Sequence, residues 1–231
     1  MKIGVIGATG KIGKCIFREA LDRGHDVTAI IRNKSKVATP NLQLLVKDAF
    51  ELTVEDIAPF DVIISAVGFE QSKMEEHVRL GHHYINIFQE VPHVRLILVG
   101  NAGSLYINEK RELRVVDNGK MPNLLKTSAL AQTISLMDFV GRDNVNFSIA
   151  TPALFFDAAG VKSGQYVFAD DTITVNEKGY SYVTYYDFAS AVLDEIENPR
   201  FVKKQFSVVG GLGKASFLTK MMNKTMMKMI K

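Results

Sequence analysis

Seven residues near the start of the chain, Gly7-Ala8-Thr9-Gly10-Lys11-Ile12-Gly13, constrain the fold more than any other feature. The run before them, Lys2–Ile6, reads as a buried strand that begins almost at residue 1. The run after them, Lys11–Arg23, sets Ile12, Cys15, Ile16 and Ala20 on one helical face, and Gly24 follows where a helix wants a positive φ. In a strand–turn–helix context each glycine has a task. Gly7 permits the tight turn, Gly10 lets the backbone approach a pyrophosphate, and Gly13 lets the helix pack close on the strand. The free N–H groups and the dipole of the new helix favour an anion. The competing reading is a glycine turn with no ligand.

The same alternation continues downstream. Val27–Ile31, Leu42–Val46, Asp61–Val67, Val94–Val99 and Val145–Ala150 read as strands, with helices over Met74–Phe88 and Leu124–Val140 between them. Strands alternating with helices imply βαβ units and right-handed crossovers. The expectation is an α/β fold, a Rossmann-type doubly wound, mostly parallel sheet of order 3-2-1-4-5-6-7. After Pro152 the rhythm changes. Thr172–Val175 and Tyr180–Val183 flank Asn176–Gly179 as a hairpin would. Thr184-Tyr185-Tyr186-Asp187 resembles a capping box opening a helix to Glu197, and Phe206–Val209 is a last strand. These limits suggest one domain over 1–211, a small substrate lobe mainly within 151–190, and a tail over 212–231.

Composition closes off other classes. A single cysteine, Cys15, excludes an intramolecular disulfide or a zinc ribbon and fits a reducing compartment; it falls on the apolar face of the first helix and reads as core. No apolar run reaches the ~20 residues of a membrane-spanning helix, and Ile3–Ile6 is too short for a signal peptide, so a cytoplasmic location is expected. The net charge is +3, yet residues 212–231 alone hold five lysines and no acid, leaving the first 211 residues two charges negative. With no interleaving of aromatic and basic residues, nucleic acid is not an expected partner. In the tail, Leu218, Met221, Met222, Met226 and Met229 share one helical face and Lys220, Lys224 and Lys228 the other. A helix over 217–231 of that kind either packs on its own body or serves a homodimer or partner contact.

The nucleotide is read at the end of the second strand. Sites selective for NAD usually place a carboxylate there. This chain has Arg32, followed by Lys34 and Lys36. A guanidinium pairs with a 2′-phosphate and stacks on adenine, which favours NADP over NAD. A solvated basic loop is the alternative.

These motifs, with Gly100-Asn101-Ala102-Gly103-Ser104-Leu105-Tyr106, Thr151-Pro152-Ala153-Leu154-Phe155-Phe156 and Glu195-Ile196-Glu197-Asn198-Pro199, resemble an atypical short-chain dehydrogenase/reductase. The chain is most similar to the NmrA-like group described as NAD(P)H-flavin reductases and related to biliverdin reductase B. The resemblance spans residues 1–210. It implies that Gly7, Thr9, Gly10, Lys11, Ile12 and Gly13 hold the pyrophosphate and Arg32 the adenosine end. It implies that Asp48 and Ala49 flank adenine and that Ala66, Val67 and Gly68 pass under the nicotinamide ribose. Asn101, Ala102, Gly103 and Ser104, with Thr151, Pro152 and Ala153, would line the nicotinamide.

Short-chain dehydrogenases typically use a YxxxK pair to protonate the alkoxide formed from a carbonyl. Here Tyr106 and Lys110 have that spacing but lie directly after the fifth strand, while the helix where the family pair belongs has no tyrosine. Their spacing reads as coincidence, with Ser104 and Tyr106 left as the candidate catalytic residues. Ser104 reads equally as a loop serine that satisfies backbone groups. Without a positioned acid, ketone reduction is disfavoured. A flavin or quinone delocalises the incoming charge and takes its proton from water, so NADPH-dependent reduction of a flat acceptor, with FMN or FAD as substrate, is the first reading. A non-catalytic NADP-binding regulator that docks a partner protein is the second, and a sugar-nucleotide epimerase or dehydratase the third. His82 and His83 are adjacent, so they point about 100° apart and form no metal face. Phe155, Phe156, Tyr166 and Phe168 either stack on the acceptor or fill the lobe.

Overall fold

A computed structural model describes residues 1–34, 42–121 and 123–211, together with Met221, Thr225 and Met227. Lys36 and most of the apolar and basic faces expected for the tail lie outside the described residues.

The chain folds as β1 (Lys2–Ile6), α1 (Lys11–Asp22), β2 (Asp26–Ile31), β3 (Gln43–Val46), α2 (Val54–Ile57), β4 (Val62–Ser65), α3 (Glu76–Phe88), β5 (Arg95–Val99), α4 (Asn123–Met137), β6 (Phe147–Pro152), β7 (Phe155–Asp157), β8 (Tyr166–Ala169), β9 (Tyr182–Thr184), α5 (Tyr185–Glu197) and β10 (Gln205–Gly210). The large sheet has eight strands in the order β3-β2-β1-β4-β5-β6-β10-β8. Every pairing in it is parallel except that of β8, which runs antiparallel to β10. The strand expected seventh is therefore β10, beside β6, and β8 adds an edge that apolar patterning does not announce, since Tyr166–Ala169 stays half exposed.

Both faces of the sheet are covered, which is why β1 and β4 read as near-continuous apolar runs rather than alternating ones, and why β6 is buried throughout. Ile16, Phe17 and Ala20 of α1 and Phe188, Val192 and Ile196 of α5 pack with Val5 and Ile64 on one face. Leu80, Tyr84 and Phe88 of α3 pack with Ile63, Leu96 and Ile149 on the other. Helix α1 ends as its sequence suggests: Gly24 takes φ +78° and its N–H donates to the Leu21 carbonyl.

The expected hairpin is corrected. Its turn forms, with the Asn176 N–H bonded to the Tyr180 carbonyl and Gly179 at φ +78°. The flanking segments do not pair with each other. Tyr182–Thr184 instead runs parallel to Phe155–Asp157, and Thr172 bridges to Tyr106. A turn motif fixes local direction only, and the better apolar surface lies on β7. The Thr184 side chain does cap α5 through the Asp187 N–H, and the buried Asp187 carboxylate accepts from the Thr184 hydroxyl and from the Ser163 and Gly164 N–H groups, which ties down the loop before β8.

Candidate functional site: a dinucleotide cleft at the strand ends

Strand order reverses beside β1, which has β2 on one side and β4 on the other. In open α/β sheets the crevice at the carboxyl ends of the strands at such a point binds ligands. Here a cleft of about 520 Å³ opens there. Among its walls are nine of the residues expected for the cofactor: Gly7, Thr9, Gly10, Arg32, Asp48, Ala49, Ala66, Val67 and Gly68. Lys11, Ile12 and Gly13 form the first turn of α1 beneath it.

Two glycines are required by geometry. Gly7 adopts φ +79°, and a Cβ there would sit 2.9 Å from the Ala66 carbonyl oxygen. At Gly13 a Cβ would lie 2.1 Å from the Gly7 carbonyl oxygen, so only glycine lets α1 approach the turn. The N-cap of α1 is Gly10, which supplies no side-chain acceptor, and no acid stands in the first turn. The positive end of the helix is thus left to an external anion, which fits a pyrophosphate.

At the end of β2 the Arg32 side chain is 73% exposed, and its Nε lies 3.9 Å from the Asp48 carboxylate. That carboxylate is committed elsewhere: it caps the turn Ala49–Glu51 by accepting from the Phe50 N–H, while Glu51 reaches back to the Asp48 N–H. Lys47 also borders the cleft and pairs with Asp56 at 2.5 Å. Partial burial opposes ionisation of Asp56, but hydrogen bonds from Lys47 and Thr53 hold its carboxyl below the usual range.

The other end lies beyond β5 and β6. Asn101 opens a single turn over Ala102–Ser104 by accepting from the Gly103 N–H. Ser104 is fully buried. Its Oγ donates to the Asn101 carbonyl at 2.7 Å and accepts from Gln205 Nε2 at 2.6 Å. The same Gln205 nitrogen donates to Thr151 Oγ1 at 2.9 Å. Gln205 thus joins the loops after β5 and β6, with Pro152 and Ala153 buried next to Thr151. Tyr106 is held too: its hydroxyl accepts from Arg114 Nη2 at 3.0 Å, and the guanidinium lies 4.0 Å from its ring centroid while also donating to the Ser104 carbonyl. Lys110 is exposed, so it is not paired with Tyr106 in the dehydrogenase manner.

Sequence reasoning did not find Gln205 and Arg114. Gln205 lies 101 residues from Ser104, and nothing local marks it beyond its place just before an apolar strand. Arg114 reads as one more charge in a basic loop.

Between α3 and α4, His77 is buried against the edge of Phe69, with ring centroids 4.9 Å apart, and burial lowers its pKa to about 4. It is neutral at pH 7. His82 is exposed and pairs with Asp138, while burial lowers the pKa of half-buried His83 against a bond to the Leu52 backbone that raises it. Among the described residues no cluster of histidine, cysteine and carboxylate could hold a metal ion, and no helix is long and apolar enough to cross a membrane. Cys15 packs against the core, and burial pushes its thiol pKa up. The lobe aromatics pair among themselves: Phe155 stacks on Tyr182, Phe156 meets Tyr185 and Phe188, and Phe168 meets Tyr166, Phe201 and Phe206.

The sequence matches the NAD(P)H-binding family over residues 7–199, from the turn glycine to the end of α5. The chain belongs to this family. The uncharacterized protein YwnB of Bacillus subtilis (strain 168) is 44% identical over 209 residues, covering 90% of this chain and 98% of YwnB. A protein of Streptococcus pneumoniae TIGR4, provisionally designated an NADH-flavin reductase, has a crystal structure that superposes with a TM-score of 0.87 at 35% identity, covering 91% of this chain and 100% of that one. A protein of Bacteroides thetaiotaomicron, provisionally designated an epimerase, superposes with a TM-score of 0.80 at 28% identity, covering 90% of this chain and 96% of that one. The family supports a nicotinamide cofactor in the cleft.

Proposed function

We propose that the protein is an NADPH-dependent reductase of a flat conjugated acceptor, a flavin or a quinone. The observation that carries this reading is the state of the hydroxyls at the nicotinamide end. The Ser104 hydroxyl proton is committed to the Asn101 carbonyl, and Tyr106, whose hydroxyl accepts from Arg114, has no lysine beside it, so the acid pair of a ketone reductase is not assembled. An acceptor reduced there must disperse the incoming charge itself and draw its proton from water, as flavins and quinones can. The provisional designation of the pneumococcal relative agrees.

Bound in the cleft, a reduced nicotinamide would supply a hydride. The chain's own residues bind and orient. The uncapped turn at Gly10–Gly13 holds the pyrophosphate, and Arg32 meets a 2′-phosphate that Asp48, turned to its own backbone, leaves free. Gln205 holds the loops after β5 and β6 at a fixed separation, which sets the height of the ring above Thr151–Ala153. Ser104 acts here as a positioning residue rather than a catalytic one.

The same lack of an assembled acid pair favours a second reading, an NADP-binding regulator that performs no chemistry. Sugar-nucleotide epimerisation is disfavoured, because the Tyr106–Lys110 pair it would need is not assembled. The discriminating experiment follows absorbance at 340 nm with protein, NADPH and FMN or menadione. Turnover supports the reductase. Measurable NADPH binding without turnover of any acceptor overturns it.

A further inference from the structure

Arg32 has a cationic neighbour at the edge of the cleft. Ile31 is paired with Val46 in the parallel ladder of β2 and β3, so Arg32 and Lys47 come next to each other where the two strands end. The Lys47 N–H continues that ladder, donating to the Ile31 carbonyl at 2.9 Å. Both residues line the cleft of about 520 Å³.

Each of these cations has a carboxylate beside it. Arg32 Nε lies 3.9 Å from Asp48, and Lys47 Nζ lies 2.5 Å from Asp56. The two pairs are neutral overall. A phosphate monoester carries about −1.5 to −2 charge at pH 7, more than Arg32 can offset with Asp48 so near. Lys47 can be released to supply the difference. The Asp56 oxygen that accepts from Lys47 also accepts from the Thr53 N–H at 2.8 Å and the Thr53 hydroxyl at 3.1 Å. Those two bonds remain if the ammonium leaves, so the carboxylate is not left without a donor. The pair is partly open to water, and the four-carbon stem of lysine lets its ammonium turn between partners.

We propose that Lys47 is a second ligand of the 2′-phosphate, held on Asp56 in the free protein and exchanged to the phosphate when NADPH binds. The inference rests on the reading of an NADPH-preferring cleft. Asp56 and the phosphate compete for one ammonium, so Asp56 sets how far the preference is expressed. NADH brings no anion to this corner and leaves the Lys47–Asp56 pair intact.

The test reads Kd on the full chain by titration calorimetry, for NADPH against NADH and for 2′,5′-ADP against 5′-AMP. Lys47→Met is expected to raise the NADPH and 2′,5′-ADP Kd about fivefold or more, as for a charge-assisted hydrogen bond partly offset by the lost bond to Asp56. The NADH and 5′-AMP values should stay within about twofold, and Lys47→Arg should stay near the parent. Asp56→Asn, whose amide oxygen still accepts from Thr53, should lower the NADPH Kd about threefold and leave NADH unchanged. If Lys47→Met does not fold by circular dichroism, the same comparison is made on the Asp56→Asn background, where no carboxylate is left without its cation. Equal changes for NADPH and NADH in Lys47→Met overturn the proposal. So does an equal effect from Lys34→Met, an exposed lysine of the neighbouring loop, or a parental NADPH-to-NADH ratio in Asp56→Asn. Arg32→Asp separates this inference from the reading beneath it. If that variant removes the preference and Lys47→Met does not, only the second ligand falls. If the parent shows no preference for NADPH, the cofactor reading falls and the second ligand with it.

Discussion

The bonds between Gln205 and two distant hydroxyls make the loops after β5 and β6 depend on the last strand of the chain. Gln205→Met keeps about the length of the side chain and removes its donor. Ser104 Oγ and Thr151 Oγ1 both belong to fully buried residues, and each receives a hydrogen bond from the same nitrogen, at 2.6 and 2.9 Å. A net intramolecular hydrogen bond is worth about 1 kcal/mol, so the substitution should cost about 2 kcal/mol. At this chain length that lowers Tm by about 4–8 °C. The separation of the loops after β5 and β6 then loosens. Turnover of NADPH with a flavin or quinone should fall about tenfold, while NADPH affinity, set mainly at the pyrophosphate and adenosine ends, changes by less than about threefold. Thermal unfolding followed by circular dichroism reads the first effect and stopped-flow absorbance at 340 nm the second. A double-mutant cycle with Thr151→Val isolates the bond and should return a coupling of about 1 kcal/mol. Zero coupling together with parental Tm refutes the reasoning.

Other outcomes follow from the same geometry. Arg32→Asp should weaken NADPH at least tenfold more than NADH in equilibrium titrations, because a carboxylate then faces the 2′-phosphate; equal losses would remove Arg32 from that role. Gly13→Ala sets a methyl 2.1 Å from the Gly7 carbonyl oxygen and should abolish cofactor binding or folding, to be read by NADPH titration beside circular dichroism; parental binding would show that α1 does not hold the turn. His77, with a pKa of about 4 against an ordinary value of 6.5, binds its proton more readily in the unfolded chain. Its contribution to stability is full above about pH 6.5 and is lost as pH falls toward 4. Urea midpoints should decline across that window, and His77→Phe should flatten the decline; an identical slope in the variant counts against burial as the cause.

How much of this was legible beforehand depended on distance along the chain. The turn at Gly7–Gly13 could be read because its demands, a positive φ and room for α1, act within a few residues. Strands β1, β4 and β6 could be read because burial on both faces leaves no polar position among most of their residues. The segment 172–183 showed the limit. Asn176–Gly179 turns as its residues require, but its flanks find partners on β7 and Tyr106, chosen by surfaces far away in sequence. The candidate site divided the same way. Its cofactor loop is local, whereas the clasp from Gln205 and the stack of Arg114 on Tyr106 exist only once the loops are brought together.

The clasp also bears on the order in which a growing chain becomes competent. Strands β1 to β5, which carry the turn at Gly7–Gly13 and the cleft beside Arg32, are complete by Val99, and β1 to β4 pair only with one another and with β5. Gln205 emerges about a hundred residues later, at the head of β10, the strand that must slot between β6 and β8. During synthesis the cleft between Gly7 and Arg32 can therefore form well before the loops that Gln205 joins. On the proposed function, a polypeptide stalled short of β10 would bind a dinucleotide before it could reduce an acceptor.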